Sequence, residues 1–213
     1  MEYIILLSAY LLGSIPFALL IGKITKGIDI RQYGSKNMGA TNAVRVLGFK
    51  WGLLVFFLDA LKAGFVILLF RLEILSYQEY SLFHPLIYGL IAIIGHFFPI
   101  FAKFKGGKGV ACAAGVILIY HPITFLIGLF TFIITIIITK YVSVGSLFSS
   151  LIVFLTTFFL PNHNEFTAGR YDYWFIGFIG LMCVLIFISH RKNIIRLIKK
   201  TEPKINEYNK KKA

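Results

Sequence analysis

Phe104–Gly115, FKGGKGVACAAG, interrupts an otherwise apolar stretch of chain. The apolar run before it ends near Phe101 and the next begins near Val110. Between them stand Lys103, Lys105 and Lys108 with Gly106, Gly107 and Gly109. Glycines spaced this closely let a backbone approach a ligand without side chains in the way, and the lysines make an anion the matching ligand. The segment is not a nucleotide-binding P-loop. Ala102 stands where the first glycine is required, and Gly109 follows the lysine where Ser or Thr is required. The sequence instead predicts an anion nest of backbone N–H groups, to which Lys108 adds charge and a helix starting near Gly109 adds the positive end of its dipole. It thus reads as a loop between two membrane spans.

Composition supports a membrane setting. The chain has 213 residues, 58% of them hydrophobic, with a mean hydropathy of +0.80, against about 45–50% apolar for soluble domains. The formal net charge is +13. In a soluble protein that balance would suggest nucleic acid; here it is expected to mark cytoplasmic loops, with no nucleic-acid partner. Cys112 and Cys183 both fall in apolar segments, so neither a disulfide nor a metal site is expected from them. The opening Met1-Glu2-Tyr3 lacks a basic segment, which argues against a cleaved signal peptide.

A spanning helix needs about 20 largely apolar residues. Candidates lie at 3–22, 52–71, 84–102, 109–120, 122–139, 143–160 and 173–190, the fourth being short. The expected fold is therefore all-α: a polytopic integral membrane protein with seven transmembrane helices. The loops around 23–50 and 103–108, Lys140, and the chain after His190 hold 19 of the 22 Lys and Arg residues. The opposite loops hold Arg170, with Arg71 at their edge, and carry Glu73, Glu79, Glu165 and Asp172. The positive-inside rule then puts the N-terminus outside and the C-terminus in the cytoplasm. Residues 1–198 form one membrane-embedded domain in this reading, and 199–213 a basic cytoplasmic tail. Asp59 and Lys62, inside the second span, share a helix face and are expected to form an ion pair that fixes helix packing.

Three polar motifs share the predicted cytoplasmic face. The first, YGSKNMGATNAVRVLG (Tyr33–Gly48), is small and polar rather than merely basic: Ser35, Asn37, Thr41 and Asn42 bear no charge. A short helix over 39–46 would put Asn42 and Arg45 on one face. The second is the glycine loop, with GHFFP (Gly95–Pro99) just upstream. The third, HRKNIIRLIKKTE (His190–Glu202), follows the last span, and His190, Asn193 and Arg196 recur in it at helical spacing. Ser143 and Ser146 open the sixth span on the same side. Acidic groups are sparse here, which suits phosphate-bearing substrates and offers no carboxylate cluster for Mg²⁺.

These residues resemble the acyl-phosphate-dependent glycerol-3-phosphate acyltransferases of bacteria, the PlsY family. The matching positions are Gly34-Ser35, Asn37, Gly39-Ala40-Thr41-Asn42, Arg45 and Gly48; Gly95-His96, Pro99 and Phe104 to Ala111; and His190-Arg191, Asn193-Ile194 and Arg196-Leu197. GSIPFALLIGK (Gly13–Lys23) fits as well. Three positions depart from the family pattern: Lys36 and Lys200 stand where the family commonly has Gly, and Cys112 where it has Thr.

The resemblance implies transfer of a fatty acyl group from acyl phosphate to the 1-hydroxyl of glycerol 3-phosphate, giving lysophosphatidic acid and phosphate. It implies no cofactor, a location in the bacterial cytoplasmic membrane with the site at the cytoplasmic face, and a monomer. The loop Gly106, Gly107, Lys108, Gly109 would hold a substrate phosphate, that of the acyl donor in this reading. Arg45 with Ser35, Asn37 and Asn42 would hold glycerol 3-phosphate, Arg suiting phosphate through its bidentate fork. His190 and Asn193 would orient the attacking hydroxyl, and Ser143, Ser146 and Arg196 would complete the substrate contacts. No Ser-His-Asp set is present, so direct transfer is favoured over an acyl-enzyme. Two other readings compete: a transporter or flippase of a phosphorylated solute or lipid, and an acyl-CoA-dependent acyltransferase. Against the latter, no histidine is followed by Asp at the fifth position.

Overall fold

The computed structural model describes residues 1–77, 79–80, 82–160 and 171–205. Glu165 and Arg170 of the second acidic loop, and Glu207 of the tail, lie outside the described residues. The described chain is helical and divides into two compact units, Met1–Tyr120 and His121–Ala213.

The first unit contains α1 (Glu2–Gly13), α2 (Phe17–Lys26), α3 (Ala40–Leu47), α4 (Phe49–Arg71), α5 (Pro85–Phe97) and α6 (Val110–Tyr120). Its centre is α4, which packs on each of the other five. Side-chain bulk is removed where backbones must meet, as in membrane helix packing. A Cβ on Gly115 of α6 would overlap the Ala60 carbonyl of α4, and one on Gly13 of α1 would overlap the backbone of Ala92 on α5. The predicted first span is two helices bent by 40°. Pro16 cannot donate a backbone hydrogen bond and clashes with a preceding helical turn, so the helix breaks over Ser14–Pro16. The predicted short helix of the first motif is α3. It lies on an apolar cluster of Ala18, Ile21, Ile30, Ala43, Val46, Leu47 and Val55.

The second unit contains α7 (Pro122–Thr139), α8 (Val142–Phe159), α9 (Tyr173–Ser189) and α10 (Arg191–Ile198). His121 and Asp172 cap the first turns of α7 and α9 by accepting the Thr124 and Phe175 N–H groups, as short polar acceptors do at helix starts. Lys140, left-handed at φ 65°, ends α7 and turns the chain into α8. Only 11% of α7 is buried, and it presents Ile123, Phe130, Ile134, Ile137 and Ile138 outward.

Among the described residues, four helical stretches are long and apolar enough to cross a membrane: α4, α5 with the turn after it, α7 and α8. The count is six if the bent pairs α1–α2 and α9–α10 are each one span. At 11 residues, α6 is only about 16 Å long, roughly half a hydrocarbon core.

Candidate active site

The predicted site residues fall into two sets, one in each unit. In the first unit, Asn42 is fully buried and organises the first motif. Its Oδ1 accepts the Ser35 N–H at 2.8 Å, and its Nδ2 faces the carbonyls of Asn37 (2.9 Å), Ile30 and Tyr33 (both 3.2 Å). The Asn42 amide is thus committed to holding the loop that presents Ser35 and Asn37. Ser35 itself is exposed, while Asn37 Oδ1 is buried with no hydrogen-bond partner among the described residues. Gly34 packs against Asn42, Val46 and Arg45, so Arg45 lies beside the same loop.

Lys36 in this loop has φ 61°, a left-handed conformation that costs an L-residue about 1–2 kcal/mol. Lys200 is the same case, with φ 54°. It sits just past α10, with its N–H on the Leu197 carbonyl and the next N–H, of Thr201, on the Arg196 carbonyl, which is a Schellman ending that glycine normally occupies. Both departures from the family's glycine pattern therefore fall on left-handed positions. Lys36→Gly and Lys200→Gly are each expected to raise stability by about 1 kcal/mol and to leave turnover unchanged, as read by thermal unfolding and initial rates of the purified protein.

The second motif begins where α5 ends. Ile100–Ala102 form a 3-10 turn, and Lys103 and Phe104 are both left-handed (φ 56° and 57°). The chain then doubles back: Gly107 N–H donates to the His96 carbonyl at 3.2 Å. Gly109 has φ 79°, and α6 starts at the next residue, its first bond running from Ala113 N–H to the Gly109 carbonyl. The nest therefore abuts a helix start as its sequence implies, and the leading N–H groups of α6 lack helical acceptors. Arg31 joins the two motifs. Its guanidinium forks onto Asp29 (2.6 and 3.0 Å) and reaches the Ala102 carbonyl at 3.4 Å. The hydrogen bond from Arg31 holds the Asp29 carboxyl below its ordinary pKa, outweighing burial.

Behind the glycine loop lies a buried polar cluster. Lys62 Nζ stands 2.7 Å from Asp59 Oδ1, so the predicted ion pair is present, and His96 Nδ1 is 3.7 Å from the same oxygen. Asp59, His96 and Cys112 each place one ligand atom within 4.8 Å of the others. The Lys62 ammonium already supplies the cation there, so the set does not suit a metal ion.

In the second unit, His190 is buried at the 56° bend between α9 and α10. Its Nδ1 is 2.8 Å from the Ile186 carbonyl, so in the neutral ring Nδ1 carries the proton and Nε2 is the basic nitrogen. Asn193 is buried one turn on. Its Nδ2 donates to Glu202 Oε1 at 2.6 Å, and Arg196 Nε donates to Glu202 Oε2 at 2.6 Å. The chain after α10 folds back to make this possible, with Ile205 N–H donating to the Lys140 carbonyl at 2.9 Å. Ser143 and Ser146, in the first turns of α8, are buried; Ser146 Oγ donates to the Val142 carbonyl. Burial raises the Glu202 carboxyl, but hydrogen bonds from Asn193 and Arg196 and the Ser143 dipole outweigh it and hold the group below its ordinary value.

Glu202 is one residue that sequence reasoning missed, and His96 is another. The place of Glu202 at the edge of a basic tail concealed that this tail turns back. The available signal was Lys200, at a position where the family commonly has glycine.

Asp29 and Glu202 have lowered carboxyl pKa values. Their contribution to stability is therefore present above the unfolded values, about 3.9 and 4.3, and is lost as pH falls through the lower folded values. Thermal unfolding followed across pH should show this loss below about pH 4, and Asp29→Asn should remove the share that Asp29 contributes.

Among the described residues, an apolar all-helical chain with a glycine-rich loop at a helix start and a His-Asn-Glu group that Arg196 joins from a partly exposed position is of the integral-membrane class. A profile of the family described as Glycerol-3-phosphate acyltransferase matches residues 3–200, and the chain belongs to that family. The chain is 43% identical to a glycerol-3-phosphate acyltransferase of Geobacillus kaustophilus, over 96% of both chains. It is 42% identical to one of Bacillus subtilis, over 95% of this chain and 96% of that one. The crystal structure of PlsY (YgiH), described as an integral membrane glycerol 3-phosphate acyltransferase, in its glycerol 3-phosphate form is 35% identical and superimposes with a TM-score of 0.83, covering 100% of this chain and 99% of that one. The lysophosphatidic acid form superimposes with a TM-score of 0.79.

Proposed function

We propose that this protein transfers a fatty acyl group from acyl phosphate to the 1-hydroxyl of glycerol 3-phosphate, releasing lysophosphatidic acid and inorganic phosphate. It is a membrane enzyme of phospholipid synthesis. The observation that carries the reading is the family match over residues 3–200, a range that takes in the residues assigned to the site in all three polar motifs.

The hydroxyl oxygen attacks the acyl carbonyl carbon, the carbon–oxygen bond to phosphate breaks, and phosphate leaves with the bonding electrons. Acyl phosphate is already an activated mixed anhydride, so the chain's task is to position and to stabilise charge. The nest of Gly106, Gly107, Lys108 and Gly109 holds one substrate phosphate. Arg45, with Ser35 and Asn37 presented by Asn42, holds the other. His190 Nε2 accepts the hydroxyl proton, and Asn193, set by Glu202, aligns the acceptor, with Ser143, Ser146 and Arg196 lining its surroundings.

The charge distribution supports seven crossings, with α6 as a short fourth, the N-terminus outside and all three motifs at the cytoplasmic face of a bacterial inner membrane. The protein acts as a monomer in this reading.

Purified protein is expected to release phosphate from acyl phosphate only when glycerol 3-phosphate is present, and to give no turnover with acyl-CoA. Absence of acceptor-dependent release would overturn the reading, and turnover with acyl-CoA alone would reassign the donor.

A further inference from the structure

The buried cluster behind the glycine loop has no part in the chemistry just described. Asp59 and Lys62 lie on α4 and are 1% and 5% exposed. Ion pairs at such depth are seldom kept for stability alone, because desolvation offsets most of the attraction. Their surroundings give them a specific task. Lys62 Nζ donates to the Ile15 carbonyl at 2.7 Å and stands 5.5 Å from the centre of the Phe17 ring. Ile15 sits in the break between α1 and α2, where carbonyls lose their helical donors. Lys62 thereby pins the break, and Asp59 neutralises Lys62. The same Asp59 oxygen faces the ring of His96, whose Nδ1 is 3.7 Å away.

His96 in turn is the floor of the glycine loop. Its carbonyl accepts the Gly107 N–H, and a Cβ on Gly107 would overlap the Nε2 edge of its ring. Gly107 has no left-handed φ, so glycine is required there by the ring and not by the backbone angle. Gly106 differs: a Cβ there would strike the backbone carbonyls of His96 and Phe97. Ile15, Met38, Asp59, Lys62, His96 and Gly107 line one small recess, so the first motif's Met38 meets the same point.

We propose that Asp59, Lys62 and His96 are positioning residues for the phosphate nest: the ion pair holds the imidazole, and the imidazole sets where the Gly106–Gly107 backbone lies. This rests on the reading that the nest holds a substrate phosphate.

The test is a pair of double-mutant cycles on purified protein, reading KM for each substrate, kcat, and the affinity of inorganic phosphate by calorimetry. Gly107→Ala is expected to raise one substrate's KM roughly tenfold, the size of one hydrogen bond to a charged group, and to weaken phosphate binding alike. His96→Ala removes the obstructing ring, so Gly107→Ala added to it should cost less than threefold more. Gly106→Ala, which meets backbone, should be equally damaging in both backgrounds. Equal cost of Gly107→Ala with and without the His96 ring would overturn the proposal, as would rescue of Gly106→Ala. For the ion pair, Asp59→Asn with Lys62→Gln should raise the same KM. Asp59→Glu keeps the pair but displaces its carboxylate, and should shift that KM in protein that remains folded at the assay temperature. An unchanged KM in Asp59→Glu would overturn the role of the pair. Wild-type protein that binds phosphate with this coupling yet shows no acyl transfer would refute the acyl-transfer reading and leave the positioning inference standing.

Discussion

Replacing His190 with alanine is expected to lower kcat by about 10²–10⁴-fold, the usual contribution of a positioned acid–base group, with little change in either KM. The geometry makes the argument. His190 is buried at the corner between α9 and α10, and its Nδ1–H donates to the Ile186 carbonyl. That bond fixes one tautomer and leaves Nε2 as the proton acceptor. A group acting only in the chemical step changes kcat rather than KM. His190→Gln sharpens the measurement. Its amide can hold a hydroxyl but takes no proton at neutral pH, so a loss as large as that of alanine assigns the proton to the imidazole. Activity above about a tenth of wild type would instead leave the proton with the departing phosphate.

The second large effect is expected at Glu202. Its two oxygens each accept one hydrogen bond, from Asn193 and from Arg196, both at 2.6 Å. Glu202→Ala strands a buried amide and a guanidinium together. We expect a stability loss of about 2 kcal/mol, below the range for a fully buried pair, because the Arg196 side chain is 38% exposed. We also expect at least a tenfold fall in kcat/KM for glycerol 3-phosphate as Asn193 loses its alignment, the scale of one charged hydrogen bond. Glu202→Gln keeps one acceptor and should fall between. Rates and thermal unfolding of the three proteins check both parts, and a fall in stability without a fall in kcat/KM would confine Glu202 to folding.

Much of the fold was legible because a lipid-facing helix must be apolar along its whole length. The stretches 122–139, 143–160 and 173–190 appear within a residue as Pro122–Thr139, Val142–Phe159 and Tyr173–Ser189. Breaks were harder to read. The stretch 3–22 contains Pro16, but apolar content alone did not show that the chain bends there and leaves the Ile15 carbonyl for a lysine 47 positions away. The motif around Tyr33–Gly48 announced a polar loop and a short helix, and both are present. It did not announce that Asn42 would face inward and hold the loop by its carbonyls. That depends on which face of α3 meets α4, a tertiary fact. Glu202 and His96 were missed for the same reason: each acts through a residue distant in sequence, and neither helical spacing nor composition encodes such a meeting.

α7 packs on α8, yet only 11% of it is buried, so most of its apolar surface is left to face hydrocarbon. Its 18 residues span about 27 Å, a few ångströms less than an average bilayer core. The surrounding film must thin to meet it, or the flanking Lys140 must reach for the interface. Acyl-chain length in the host membrane is thus a thermodynamic variable of the enzyme itself. The same protein in lipids of 14 and of 18 carbons should differ in melting temperature.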